Sequence, residues 1–226
     1  LDIDNLRSLL EADKGKKTRL KFIVTDGVFS MEGDIAPLDK LVDLARTYNC
    51  LLVVDESHAT GVNGKTGRGT PEHFGVDGQV DIITGTFGKS LGGACGGFVT
   101  SRKEVCELLR QKGRPYTFSN SLPPMVCGAT LAAFDRLDRD GAALMARLHG
   151  NADRFRDGVK RAGFDVHPSR HAIVPVMIRD TPKTMAFAKE LANHGVYAKG
   201  LWFPVVERGG ERIRTQISAA HTSEQM

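Results

Sequence analysis

Asp55, His58 and Lys89 are the residues whose types and spacing could do chemistry, and the stretches around them offer competing uses. Leu51-Leu52-Val53-Val54 followed by Asp55-Glu56-Ser57-His58 has the form of a DExH box, an apolar strand delivering an acid to Mg²⁺. Directly after it, Ala59 to Thr66 (ATGVNGKT) fits a relaxed phosphate-loop pattern, with Ala in place of the first Gly. A phosphate loop works only where the Gly-rich turn opens straight into a helix, whose first N–H groups hold the phosphates. Here Thr66 is followed by GRGTPEHFG (67–75), and two glycines and a proline within one turn do not start that helix. The second lysine element, Gly85-Thr86-Phe87-Gly88-Lys89-Ser90, has Ile83 where the loop requires Gly, and it follows the acidic box instead of preceding it. The residues argue against a nucleotide-driven enzyme.

A different chemistry uses the same residues: an acid at one strand end, a histidine three residues on, and a lysine in an open, glycine-lined loop after the next strand. Pyridoxal phosphate (PLP) needs such a set. An acid keeps the pyridine nitrogen protonated, so that the ring acts as an electron sink, and a lysine amine forms the Schiff base. Desolvation would make Lys89 a better nucleophile, and Gly85, Gly88, Gly92 and Gly93 let the backbone approach a bulky cofactor. Thr84 and Thr86 add hydroxyls for a phosphate.

These residues must be positioned by strands alternating with helices. Leu6, Leu9 and Leu10 predict an opening helix, residues 20–24 a strand, 25–36 a loop, and Leu38, Leu41, Val42 and Ala45 the buried face of a helix that starts at Pro37. Strands follow at 51–54, 80–84 and 97–100, then a helix over 103–112 and a helical stretch over 122–162 broken near Asp140-Gly141. Strands at 172–178, 196–199 and 212–218 and a helix at 183–194 predict a smaller α+β unit. The fold class is α/β, with a mainly parallel sheet that places ligand sites at the carboxyl ends of its strands. The domain boundary falls near 142, giving 1–142 as the part of a larger cofactor-binding domain and 143–226 as a small C-terminal domain.

The chain has 226 residues, 41% hydrophobic and 26% charged, with 31 Lys and Arg against 27 Asp and Glu. This composition reads as globular, and the net +4 is spread along the chain. The densest basic run, Lys14 to Lys21, lacks interleaved aromatics and reads as a solvated loop, so nucleic acid is not an expected partner. No apolar run reaches the roughly 18 residues of a membrane span. Cys50, Cys95, Cys106 and Cys127 show no metal-ligand or disulfide spacing, which points to an intracellular, reducing compartment, cytoplasmic or mitochondrial matrix, and to no metal. A first residue that is not Met, and a capping box, Thr222 to Gln225, at the other end, read as an internal piece of a longer chain.

The stretches TDGVFSMEGDIAPL (25–38), VVDESHATGVNGKTGRG (53–69), DIITGTFGKSLGGACGG (81–97), RPYTFSNSLPP (114–124) and RIRTQISAAH (212–221) resemble the α-oxoamine synthase family of fold-type I PLP enzymes. The resemblance implies Lys89 as the Schiff-base lysine and Asp55 as the partner of the pyridinium nitrogen. It implies His58 and Ser30 at the cofactor's phenolic oxygen, and Thr86 at the phosphate with Ser119 from a neighbouring subunit, hence a homodimer. Arg214 would clamp the glycine carboxylate; strand alternation puts Arg212 on the same face, so spacing alone does not separate them. The implied reaction condenses glycine with an acyl-CoA, acetyl-CoA favoured, to 2-amino-3-oxobutanoate and CoA. The alternatives are family members that form 5-aminolevulinate, 8-amino-7-oxononanoate or 3-ketosphinganine, and a non-catalytic partner subunit.

Overall fold

The computed structural model describes residues 1–92 and 95–226, so Gly93 lies outside the described residues. The chain divides into two compact units, Leu1–Val28 with Ala36–Ala142, and Phe29–Ile35 with Ala143–Met226.

In the first unit, helix α1 (Ile3–Ala12) is capped by the Asp2 carboxylate, which accepts from the Asn5 amide. Strands β1 (Phe22–Asp26), β2 (Leu51–Asp55), β3 (Ile82–Thr86) and β4 (Gly97–Ser101) form one sheet in that order. β1–β2 and β2–β3 are parallel, and β4 runs antiparallel to β3. On one face of β2, Leu52 and Val54 are fully buried, and helix α2 (Leu38–Thr47) packs on β2 with Leu38, Leu41, Val42 and Ala45 buried. Pro37 is the N-cap rather than the first helical residue. Short helices α3 (Thr70–Phe74) and α5 (Arg114–Phe118) flank β3, β4 and α4 (Lys103–Lys112) in chain order.

The break predicted near Asp140-Gly141 is absent, because α6 runs continuously from Pro124 to Arg161. Gly141 serves close approach instead of termination: a Cβ there would fall well inside contact with the Thr66 carbonyl oxygen. Gly141→Ala is therefore expected to lower the melting temperature by several degrees. Alanine's helix propensity is worth about 1 kcal/mol, whereas forcing a methyl into packed backbone costs about 1–3 kcal/mol or more, so the clash wins. Thermal denaturation of the full-length protein checks the sign.

In the second unit, β5 (Asp165–Val166), β6 (Ile173–Met177), β7 (Lys199–Leu201) and β8 (Arg212–Gln216) make an antiparallel sheet in the order β5-β6-β8-β7, with α7 (Thr181–Asn193) packed on β7 and β8. Its core gathers Ala152, Val166, Val174 and Ile217. The turn 29–35, predicted as part of the first domain, belongs to this unit. The Ser169 hydroxyl donates to the Gly33 carbonyl, and His167 Nε2 lies 2.8 Å from the Asp34 carboxylate. No helix among the described residues is long and apolar enough to cross a membrane.

Candidate functional site

Register brings the acid and the lysine loop together. Asp55 ends β2 and pairs with Thr84 on β3, and Lys89 follows β3 by three residues. The Thr84 hydroxyl donates to Asp55 Oδ2 at 2.6 Å, and the Ser57 amide donates to Oδ1 at 2.9 Å. Burial pushes the Asp55 pKa up, but these hydrogen bonds and the positive charge of Lys89 outweigh it and hold the carboxyl below its usual range. Asp55 is thus a fixed anion at neutral pH. Thr84, predicted as a phosphate hydroxyl, spends its proton on orienting that anion.

His58 is half-buried in the turn that leaves β2, a turn closed by the Ala59 and Thr60 amides donating to the Glu56 carbonyl, both at 2.9 Å. The Ser90 hydroxyl, next to Lys89, donates to the Thr60 carbonyl and docks the lysine loop on that turn. Sequence reasoning passed over Ser90 because a serine after a Gly-Lys pair gives no sign of what it touches. Lys89 itself is exposed, so the burial expected around it is not present: the loop leaves the sheet after Thr86, and Gly88, Lys89 and Ser90 all face solvent. The Thr86 hydroxyl sits within this loop, accepting from the Gly88 amide at 3.1 Å and donating to the Gly96 carbonyl at 3.2 Å. Ser119 is exposed at the C-cap of α5. Among the described residues no contact ties its hydroxyl to these groups.

The loop that resembles a phosphate site already holds an anion of its own. The Glu72 carboxylate accepts from the amides of Thr66, at 3.1 Å, and Arg68, at 3.0 Å, and from the Thr66 hydroxyl at 2.7 Å. A short helix does begin at Thr70, four residues too late, and Lys65 points to solvent. A carboxylate in place of a phosphate removes the nucleotide reading on structural grounds.

Glu56, which the sequence left without a role, is almost fully buried beneath the strand ends. The Thr70 amide donates to Oε2 at 2.7 Å, and the Thr70 hydroxyl donates to Oε1. A Cβ at Gly27 or Gly69 would collide with the same carboxylate oxygens. Burial drives its pKa from an ordinary 4.5 to about 7, opposed by the Thr70 hydrogen bonds and reinforced by the neighbouring charge of Asp55. A raised folded-state pKa means that the unfolded chain gives up its proton first. Glu56 therefore takes stability away as pH climbs from about 4.5 through 7, by an amount on the order of 3 kcal/mol. Glu56→Gln keeps the shape and can still meet the Thr70 hydroxyl and amide. It is expected to flatten urea-measured stability between pH 5 and 8, where the parent protein declines.

Ser30 and Arg214 lie in the second unit. Arg214 Nε donates to the Ser30 carbonyl at 2.7 Å, and Nη1 donates to Gln216 Oε1 at 3.2 Å. Arg212 is buried, with Nε on the Gly210 carbonyl at 2.7 Å and Nη1 on the Met31 carbonyl at 3.2 Å and Glu32 Oε1 at 3.0 Å. Its guanidinium is consumed by the protein, whereas Arg214 is less deeply buried and its guanidinium is desolvated, which lowers its pKa. The two arginines share a strand face but not a solvent exposure.

A family model for aminotransferase class I and II matches residues 1–226. The chain belongs to the aminotransferase class I and II family. Within that family it is 48% identical over its whole length to the 2-amino-3-ketobutyrate coenzyme A ligase of Salmonella typhimurium, covering 56% of that protein. It is 43% identical over its whole length to the 8-amino-7-oxononanoate synthase of Alkaliphilus metalliredigens, again covering 56%. A high-resolution structure of SPT carrying PLP superposes with a TM-score of 0.91 at 35% identity, over 99% of this chain and 56% of that one. The α-oxoamine synthase resemblance and the fold-type I architecture read from the motifs both hold for this aminotransferase-family chain. The chain spans a little over half the length of the relatives it matches.

Proposed function

We propose that the protein carrying this chain is a PLP-dependent acyltransferase that condenses glycine with acetyl-CoA to 2-amino-3-oxobutanoate and CoA, working as a homodimer in the cytoplasm or mitochondrial matrix. The observation that carries the reading is Asp55: an acid held ionised at a strand end by Thr84 and Ser57, with the Lys89 charge beside it. The donor set fits the cofactor. An anion is available for a pyridinium nitrogen, an exposed primary amine for the aldehyde carbon, and the Thr86 hydroxyl for a phosphate.

When bound, PLP supplies an electron sink that acidifies the Cα–H of glycine. Asp55 holds the proton on the ring nitrogen, and His58 and Ser30 hydrogen-bond the phenolic oxygen. Thr86, with Ser119 of the neighbouring subunit, holds the phosphate. Lys89 Nζ would anchor the cofactor, and the same amine would move the glycine Cα proton. Arg214 orients the glycine carboxylate; the engagement of Arg212 with Gly210, Met31 and Glu32 supports this choice between the two. The glycine Cα would then be acylated by the thioester, with CoA thiolate as the leaving group.

A second reading, a longer acyl donor, is favoured by the 43% identity to an 8-amino-7-oxononanoate synthase. CoA release from acetyl-, succinyl-, pimeloyl- and palmitoyl-CoA in the presence of glycine separates the two. Acetyl-CoA is expected to give the highest kcat/KM. Turnover with a longer thioester and none with acetyl-CoA would remove the favoured substrate and leave the family chemistry standing.

A further inference from the structure

Asp26 is a second acid at the same edge of the sheet. In the parallel pairing of β1 with β2, Asp26 is the register partner of Asp55, and Asp55 is in turn the partner of Thr84. Paired residues of a parallel ladder point to the same face, with strands about 4.8 Å apart. Asp26, Asp55 and Thr84 therefore form one row across three strands, on the face opposite buried Leu52, Val54 and Glu56.

The two acids of that row are treated differently. Both oxygens of Asp55 accept hydrogen bonds. Half-buried Asp26 has no side-chain hydrogen-bond donor among the described residues, and the charged groups facing it are Asp55 on β2 and Lys89 beyond β3. Like charges placed directly opposite on neighbouring strands are destabilising. A carboxylate perturbed by burial together with a specific charge partner is a mark of functional sites. Burial and the Asp55 charge push the Asp26 pKa up, and Lys89 pulls it back.

We infer that Asp26 is a tuning residue of the site, a second carboxylate that acts through its charge on Lys89 and on the cation held by Asp55. It makes no bond to the reacting atoms; it deepens the negative potential at the strand ends, where the cofactor's positive charge would sit. The inference rests on the PLP reading, and its test keeps the two apart.

In the full-length, PLP-loaded protein, the pH midpoint of the Lys89-dependent cofactor absorbance is measured for the parent, Asp26→Asn and Asp26→Glu. Removing the charge is expected to move the midpoint down by roughly half to one pH unit, the size of one unit charge several ångströms away in a partly solvated site. Asp26→Glu restores it. An Asp26→Asn midpoint equal to the parent's overturns the inference.

Absence of any Lys89-dependent absorbance in the parent would instead sink the cofactor reading, and whether burial and the Asp55 charge together penalise an ionised Asp26 is then decided in cofactor-free protein. A raised folded-state pKa removes stability as pH rises through it. The Asp26→Asn protein should therefore melt above the parent at pH 7, with the difference gone below about pH 4. Equal melting at both pH values overturns the inference there.

Discussion

Lys89→Ala, made in the full-length PLP-loaded protein, is expected to cut turnover by roughly 10⁴-fold or more and to erase the lysine-dependent absorbance of the cofactor. The size follows from the two roles given to one amine. General-base catalysis alone contributes about 10²- to 10⁴-fold, and loss of the covalent anchor adds to it. Lys89 is exposed and its loop is held by Ser90, not by the lysine stem. The variant should consequently fold, with a melting temperature close to the parent's, since exposed substitutions usually change stability by less than about 0.5 kcal/mol. A folded variant that keeps both the absorbance band and glycine turnover would dismantle the proposed function.

Asp55→Asn is the second large effect, a fall in kcat on the order of 10²- to 10³-fold, the range expected when one preorganised electrostatic partner is removed from an active site. The amide can retain the contacts to Thr84 and Ser57 but cannot hold a negative charge, so binding should suffer less than chemistry and KM should change little. The pH profile gives a second reading of the same carboxylate. Asp55 is held below the ordinary range, so its contribution is present above the unfolded-state pKa and fails only as pH drops through the depressed folded value. Thr84→Val removes one of the restraining hydrogen bonds and should move the acid limb of activity to higher pH. A limb that stays in place would show that Thr84 does not set the ionisation of Asp55.

The site was legible in sequence wherever the chemistry depends on residue type at a strand end. The apolar run 51–54 announced a buried strand, and the residue after it had to emerge at the sheet's carboxyl edge, which is where Asp55 stands. Lys89 was expected by the same logic after the next strand, and it stands in the loop three residues beyond β3. What could not be read was which donor meets which acceptor. Thr84 and Thr86 are two residues apart on one strand, yet the first is turned to Asp55 and the second to its own loop. That difference is set by the register of β2 against β3, a long-range property. Arg212 and Arg214 were indistinguishable for a related reason. Alternation gives them one face, and they differ in what the turn 29–35 offers each: Arg212 meets the Met31 carbonyl and the Glu32 carboxylate, whereas Arg214 meets the Ser30 carbonyl. The helix break predicted at Gly141 failed because glycine marks either a stop or a close approach, and the partner that decides, Thr66, lies far away in sequence.

The carboxylate of Glu56 fills the space that side chains at positions 27 and 69 would otherwise occupy. Those three positions consequently form a single unit of change, although they are far apart in the chain. A mutational route that places a side chain at 27 has to shorten residue 56 and turn the Thr70 hydroxyl away first, whereas at 69, where φ is +100°, a side chain is strained even with that space opened. Directed evolution of the neighbouring loop will meet that constraint at once, because residue 56 directly follows Asp55.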